Sequence, residues 1–363
     1  MAQTLRSLRA IYPWISTPLI VQAPMKALAG PQLAVAVSSA GGIGFLGPGD
    51  KPETLLTELQ ESKSLIEQSS LKKHLTSSTP ILPIGFGIQT WTGDLPTTTT
   101  VLSKVAPTHP PAIAWLFAPR HGQTELDEWT HTFRTVSPST KIWIQVASVA
   151  DALAAASSAH APDVLVLQGT DAGGHSRTTG AGIATLLPET ADALARAGHA
   201  SIPLIAAGGL ADARGAAAMH VLGASGTAMG TRFLATPEAR INRGYQRAIL
   251  AGSDGGQTTV RTQLYNHLRG TMGWPSDYDA RGLVNASWRD HMAGVTLEEN
   301  QKMHVEALRK GEDAWGEERG RTATYAGTGV GLIQDVKDAA QIVREVREGM
   351  GEILGLAVQR LTE

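Results

Sequence analysis

Eight short, almost uninterrupted apolar runs recur through the first two-thirds of the sequence, at 19–23, 42–46, 81–86, 113–117, 142–146, 164–167, 204–207 and 227–231. A strand that is apolar at nearly every position, rather than at alternate ones, is buried on both faces, as in a parallel sheet covered by helices. Stretches of helical character separate the runs. Pro31 and Pro52 stand where a helix can open without missing the proline N–H. Further helices are expected over 126–135, 149–159, 189–197 and 213–222, with alanine-rich faces at 154–156 and 216–218 that suit close packing on a sheet. Eight strands, each followed by a helix or a long connection, is the arithmetic of the (β/α)8 TIM barrel, which places its chemistry at the C-terminal strand ends. The competing α/β architecture, an open doubly wound sheet, carries Gly-x-Gly-x-x-Gly after its first strand. That pattern is absent here, so the barrel is the expected fold.

The remainder of the chain differs. Residues 252–295 carry glycine, proline and aromatics without a clear period, whereas 296–312 and 334–358 read as amphipathic helices. The expected organisation is a barrel over 1–235, an inserted segment or helical lid subdomain over 236–333 covering the barrel mouth, and a C-terminal helix within 334–363 packing on the barrel. A chain of 363 residues with 42% hydrophobic content can build such a core. Its 31 basic and 33 acidic side chains are interspersed, which gives no footprint for nucleic acid or an anionic membrane. The absence of cysteine excludes disulfides, iron–sulfur clusters, thiolate zinc sites and a cysteine nucleophile. Residues 1–6 lack the apolar core of a signal peptide and no run approaches a membrane span, so a soluble cytoplasmic protein is expected. Nothing in the sequence sets an oligomeric state.

Polar and glycine signals gather at the ends of the expected strands. The sixth runs into Gln168-Gly169-Thr170-Asp171-Ala172-Gly173-Gly174-His175, which sets an imidazole beside main chain that a ligand can approach closely. The first ends in Ala23-Pro24-Met25 and the third in Gly85-Phe86-Gly87, and the fifth carries Gln145. The seventh ends in Ala207-Gly208-Gly209, and the eighth gives Met229-Gly230-Thr231-Arg232-Phe233. Glycines after the seventh and eighth strands of a barrel commonly offer N–H groups to a phosphate, helped by a helix start such as the one expected at 211–214. No metal is expected, because the eleven histidines show no ligand spacing. A serine hydrolase elbow, Gly-x-Ser-x-Gly, is also missing. A rim histidine with neither metal nor paired nucleophile points to a cofactor that carries the difficult chemistry. Met25 offers a flat sulfur surface to a ring, and Gln145 and Gln168 can line a heteroaromatic edge. Each has a plainer reading: the histidine as a helix cap, the glutamines and the methionine as packed interior.

Taken together, Ala23-Pro24-Met25, the Gln168-to-His175 stretch, Ala207-Gly208-Gly209 and the Met229-to-Phe233 stretch resemble the nitronate monooxygenases, formerly called 2-nitropropane dioxygenases. The resemblance covers roughly residues 15–235, and 326–331 is similar to a late glycine-rich segment of that family. It implies FMN at the C-terminal rim of a barrel. Gly208, Gly209, Gly230 and Thr231 would then hold the phosphate, and Ala23, Pro24, Met25, Gly85, Phe86, Gln145, Gln168 and Gly173 would surround the ring and ribityl chain. Gly174, Ala207 and Met229 complete the cofactor-binding motifs, and His175 would be the catalytic residue facing the substrate. The implied reaction oxidises an alkyl nitronate, or a neutral nitroalkane, with dioxygen to a carbonyl compound and nitrite. His175 would stabilise the anionic nitro group when protonated and remove an α-proton when neutral. The alternative is an NAD(P)H-dependent FMN reductase, acting on enoyl-carrier-protein or quinone substrates, on the same scaffold. A flavin-free sugar-phosphate enzyme would need a strand-end lysine or carboxylate pair, for which only Lys26 and Asp171 offer themselves. Members that take small carboxylated nitronates surround the site with tyrosines and a lysine. Here Tyr12 precedes the barrel and Tyr245, Tyr265, Tyr278 and Tyr325 fall in the tail, so the sequence does not choose between simple alkyl nitronates and propionate 3-nitronate.

Overall fold

A computed structural model describes residues 8–48, 52–76, 78, 80–316 and 319–362. The stretch 1–6, expected not to be a signal peptide, lies outside the described residues. Each apolar run forms a strand: β1 (Ile20–Gln22), β2 (Phe45–Leu46), β3 (Leu82–Gln89), β4 (Pro111–Phe117), β5 (Lys141–Val146) and β6 (Val164–Gln168). A strand outside the barrel, β7 (Gly174–Arg177), comes next, followed by β8 (Leu204–Ala207) and β9 (Gly226–Met229). The barrel strands run parallel in the order β1-β9-β8-β6-β5-β4-β3-β2. A parallel bridge between Val21 and Ile43 closes the circle, with Gln22 N donating to Ile43 O at 3.0 Å and Ile43 N to Ile20 O at 3.1 Å. Closure leaves no sheet edge exposed. The fold is therefore the expected (β/α)8 barrel.

Large aromatics fill the barrel interior. Phe45 packs edge-on against Trp115, with centroids 5.0 Å apart, and tilted against Trp143 at 5.5 Å. Tyr12, in the segment leading into β1, accepts a hydrogen bond from Trp143 Nε1 at 2.8 Å. Gly85 yields its side-chain volume to Phe45, since a Cβ there would lie 2.3 Å from the Phe45 ring.

The outer layer contains α1 (Pro31–Ser39), α2 (Pro52–Glu67), α3 (Leu95–Val105), α4 (Gln123–Val136), α5 (Val149–Ser157), α6 (Ile183–Arg196) and α7 (Ala213–Val221). Two of these depart from the sequence reading. Four consecutive threonines hide α3, because β-branched hydroxyl residues lose rotamer freedom in a helix and compete for its backbone. Asp94 caps it by accepting from Thr97 N at 2.9 Å, and the hydroxyls of Thr98, Thr99 and Thr100 bond back to the carbonyls of Asp94, Leu95 and Pro96. The helix expected over 189–197 starts six residues earlier, at Ile183, and carries Pro188 inside it. Burial of Ile183, Leu186 and Leu187 against the sheet offsets the missing N–H.

After β9 only a one-turn helix follows, Thr231–Leu234. The eighth position of the helical layer is filled by the C-terminal helix, Ala339–Thr362, which packs on α7 and α1. Its buried stripe of Ala339, Ile342, Val343, Val346 and Met350 has the three-and-four spacing of an amphipathic helix. Arg347 ties it down by donating to Ala40 O at 3.1 Å. The intervening segment is thus an insertion in the loop after the last barrel strand, which places its origin at the C-terminal rim. That insertion builds a three-stranded antiparallel sheet from β10 (Thr259–Thr262), β11 (Tyr278–Leu283) and β7, in the order β10-β11-β7. The insertion consequently shares a sheet with a strand drawn from the loop after β6. No helix among the described residues is long and apolar enough to cross a membrane.

Candidate active site

Four neighbouring barrel strands, β1, β9, β8 and β6, end around an open cleft whose empty space, counted with its solvent-filled mouth, is about 500 Å³. Ala23, Gln168, Gly173, Ala207, Gly208, Gly209, Gly230 and Thr231 all line it, as do Ala228 and, from the insertion, Gly327 and Gly329. The glycines are required by contact as well as conformation. Gly208 and Gly209 have φ of +112° and +72°, a region that L side chains rarely enter. A Cβ on Gly173 would lie 2.5 Å from the backbone of Ala326 and Gly327, and one on Gly329 would lie 2.2 Å from Gly209 O. The late glycine segment is therefore seated directly on the two rim turns. Polar bonds fix it there: Gly327 N donates to Thr231 Oγ1 at 3.1 Å, and Thr328 Oγ1 donates to Asp171 Oδ1 at 3.0 Å. At Gly230, by contrast, an added Cβ would meet only Met25 Sδ, at 3.9 Å.

The helix start at 211–214 does not serve as expected. Asp212 caps α7 by accepting from Arg214 N at 3.0 Å and Gly215 N at 3.1 Å. Its carboxylate already fills the place an external anion would take at that helix end.

Other sequence candidates stand apart from the cavity. β3 runs three residues past its expected end, so Gly85 and Phe86 lie within the strand. Gly85 faces Phe45 inside the barrel, and Phe86 faces outward against Phe133 of α4, with centroids 6.0 Å apart. Gln145 Oε1 accepts from Trp115 Nε1 at 2.9 Å. Met229 is buried and next to the cavity-lining Ala228, so the strand's alternation turns it to the other face. Pro24 packs on Gly87, where a Cβ would come within 2.4 Å of it, and Met25 is half-buried near Gly230. Gly174, with φ +68°, bends the chain into β7.

His175 lies on β7, paired with Ala280 of β11, and so does not cap the following helix. Gln168 links it to the cavity: Gln168 Nε2 donates to His175 O at 3.2 Å, while Gln168 Oε1 is buried without a partner among the described residues. The imidazole stacks on Trp274 with centroids 3.6 Å apart and planes 5° from parallel, and Tyr325 meets it edge-on at 5.7 Å. Its Nε2 is 2.9 Å from Asn266 Oδ1. Trp91 and Phe117, at the ends of β3 and β4, pack around Trp274 at 5.0 and 6.3 Å. The rim thus has a glycine-lined half and an aromatic half, with His175 between them. Burial pushes the His175 pKa down to about 3; Asn266 opposes the shift, and the positive charges of Arg269, Arg261 and Lys26 deepen it. The imidazole is neutral at neutral pH, so the protonated form expected from the sequence is disfavoured by this surrounding.

Asn266, Trp274, Tyr325 and Arg261 were not singled out from the sequence as site residues. Only Arg261 lies in a strand, 259–262; Asn266 is on a short helix, and Trp274 and Tyr325 are in irregular stretches whose sequence carries no period.

The sequence model of the nitronate monooxygenase family matches residues 132–349. The chain is 52% identical to nitronate monooxygenase npaC of Metarhizium robertsii over 96% of its length and 95% of that protein's. It is 37% identical to a nitronate monooxygenase of Neurospora crassa over 95% of its length and 92% of that protein's. Among solved structures, FabK from Thermotoga maritima superposes with a TM-score of 0.71 at 24% identity, covering 98% of each chain. The nitroalkane oxidase of Streptomyces ansochromogenes also gives 0.71, at 23% identity, covering 97% of this chain and 99% of that one. These two likenesses bear on the fold, while the sequence matches bear on descent: the chain belongs to the nitronate monooxygenase family.

Proposed function

We propose that the protein uses FMN to oxidise alkyl nitronates with dioxygen, giving a carbonyl compound and nitrite. The observation that carries this reading is Gln168, which lines the glycine cavity, holds the backbone of His175 and keeps a buried oxygen without a partner. An unpaired buried acceptor is costly, and the N–H edge of a flavin ring would satisfy it. Gly208, Gly209, Gly230 and Thr231 would hold the phosphate, and Ala23, Gln168 and Gly173 would border the ring and ribityl chain. Bound there, FMN supplies the one-electron oxidation of the nitronate.

The chain's own residues select and place the substrate. Arg269, Arg261 and Lys26 set a positive field at His175, which favours an anion over a neutral nitroalkane. The neutral imidazole would offer a basic nitrogen to the α-proton of a neutral nitroalkane, and the Trp274, Trp91 and Phe117 wall would exclude water from the substrate's carbon chain. Residues 236–333 would act as the cover of the mouth and 334–363 as its buttress, in a cytoplasmic enzyme of small molecules.

Purified protein should show a flavin absorbance spectrum and release nitrite from nitroethane nitronate in air. Without air, the nitronate should bleach the flavin while NADH and NADPH do not. A colourless protein, or bleaching by a nicotinamide nucleotide with no nitrite formed, would refute the proposal.

A further inference from the structure

The imidazole of His175 is held from every side that the described residues offer. Its main chain is fixed by the β7–β11 ladder and by Gln168 Nε2, its face by the Trp274 indole, and its edge by Tyr325. One ring nitrogen has a polar partner: Nε2, 2.9 Å from Oδ1 of Asn266. Asn266 is 3% exposed, on the one-and-a-half-turn helix Leu264–Arg269, and Thr271 N donates to its carbonyl at 3.0 Å. An amide oxygen only accepts, so the hydrogen in this contact belongs to the imidazole. A neutral imidazole carries one N–H, and the hydrogen bond made by one nitrogen decides the state of the other.

We propose that Asn266 is a positioning residue that locks His175 as the neutral Nε2–H tautomer and leaves Nδ1 as a bare acceptor. This rests on the reading of His175 as the residue facing the substrate. The contact fixes the ring's rotation about its Cβ–Cγ bond together with the Trp274 stack. It also fixes what the ring can do: Nδ1 accepts a hydrogen bond or takes a proton, and does not donate one. An anionic nitronate is consequently held by the surrounding cations rather than by an imidazolium. The charged and titratable groups facing the ring are Arg269 on the helix of Asn266, Arg261 on β10, Lys26 after β1 and the phenol of Tyr325. No carboxylate shares this list, and burial, with the three cations adding to it, keeps the ring neutral.

The direct test reads the protein with Asn266 in place. Nitrogen-15 spectra of the imidazole, assigned by comparison with His175→Asn, distinguish Nε2–H, Nδ1–H and imidazolium forms. The Nε2–H pattern, persisting from pH 8 to 5.5, is the expected result; an Nδ1–H or imidazolium pattern at neutral pH overturns the proposal. Asn266→Ala should lower turnover of neutral nitroethane, whose α-proton the bare Nδ1 would take, on the order of 100-fold relative to preformed nitronate through lost orientation, with flavin content and far-ultraviolet circular dichroism unchanged. Asn266→Asp sets a negative charge beside Nε2 and should raise the pH at which the ring titrates by about 1–3 units. A new limb should then enter the kcat/KM profile. An Asn266→Ala protein that folds, binds flavin and turns over at the original rate also overturns the assignment. Absence of nitrite from the unaltered protein, with the Nε2–H pattern present, sinks the proposed reaction while supporting the tautomer.

Discussion

Arg261, on β10, reaches into the turn that delivers His175, and its removal should destabilise the protein severely. Its guanidinium donates to Asp279 O at 2.6 Å, Ala172 O at 2.9 Å, Thr170 O at 3.0 Å and Gly174 O at 3.3 Å. Burial, helped by nearby Arg281, pulls its pKa down to about 10, which still leaves it charged at neutral pH. Hydrogen bonds from a charged group contribute about 1.5–3 kcal/mol each. The four contacts share one charge on a half-buried side chain, so the three shorter ones are counted at the lower bound, giving roughly 4.5 kcal/mol for Arg261→Ala. Thr170 O retains Arg281 Nε at 3.2 Å, which keeps the figure from going higher. A loss of this size is a large share of the 5–15 kcal/mol typical of a folded domain, and it should move the urea midpoint down by about 1–2 M. Arg261→Lys reaches fewer carbonyls and should fall between the two. If Arg261→Ala shifts the midpoint by less than about 0.3 M and leaves flavin content intact, the carbonyl clamp is not what holds the turn.

Gly173→Ala should empty the proposed flavin site without unfolding the barrel. The new methyl would sit 2.5 Å from main-chain atoms of Ala326 and Gly327, which cannot rotate aside, at a cost of about 1–3 kcal/mol. Loss of flavin with an unchanged far-ultraviolet spectrum is the expected result, and full flavin retention would contradict it. The pH dependence of stability follows from His175, which takes up its proton near its ordinary 6.5 in the unfolded chain but only near 3 in the folded one. Between those values the unfolded state binds the extra proton, so stability is fully present above 6.5 and falls as the pH is lowered. The unaltered protein should therefore lose more stability from pH 7 to 4.5 than His175→Asn does, measured by urea midpoints; equal losses would show that the ring is not buried as described.

The barrel was legible because its strands are buried on both faces, and runs such as Val164–Gln168 need no tertiary information to be recognised. The glycine half of the rim was legible for a related reason. Gly208, Gly209 and Gly173 are demanded by backbone approach, and such demands are met by one residue type. Gly85, Phe86, Gln145 and Met229 were misplaced relative to the cavity because strand length and alternation decide which way a side chain faces, and β3 extends to Gln89. The aromatic half was illegible. Asn266, Trp274 and Tyr325 all lie far from His175 in sequence and meet it only when β7 pairs with β11. The C-terminal helix was recognisable by its stripe, yet only topology reveals that it completes the ring of helices around the barrel.

The His175 imidazole hangs from a pleated ribbon appended to the barrel, while the glycine cavity is walled mostly by the ends of the barrel strands. Pleats alternate with a period of two, so a single residue inserted just ahead of His175 in Gly174–Arg177 would slip the pairing with Tyr278–Leu283 and turn the ring to the opposite side. Substitutions in the appended ribbon can re-aim the imidazole or reshape its aromatic neighbours without disturbing a single cofactor glycine. A scaffold divided in this way can change which nitro compound it accepts while its redox machinery stays fixed.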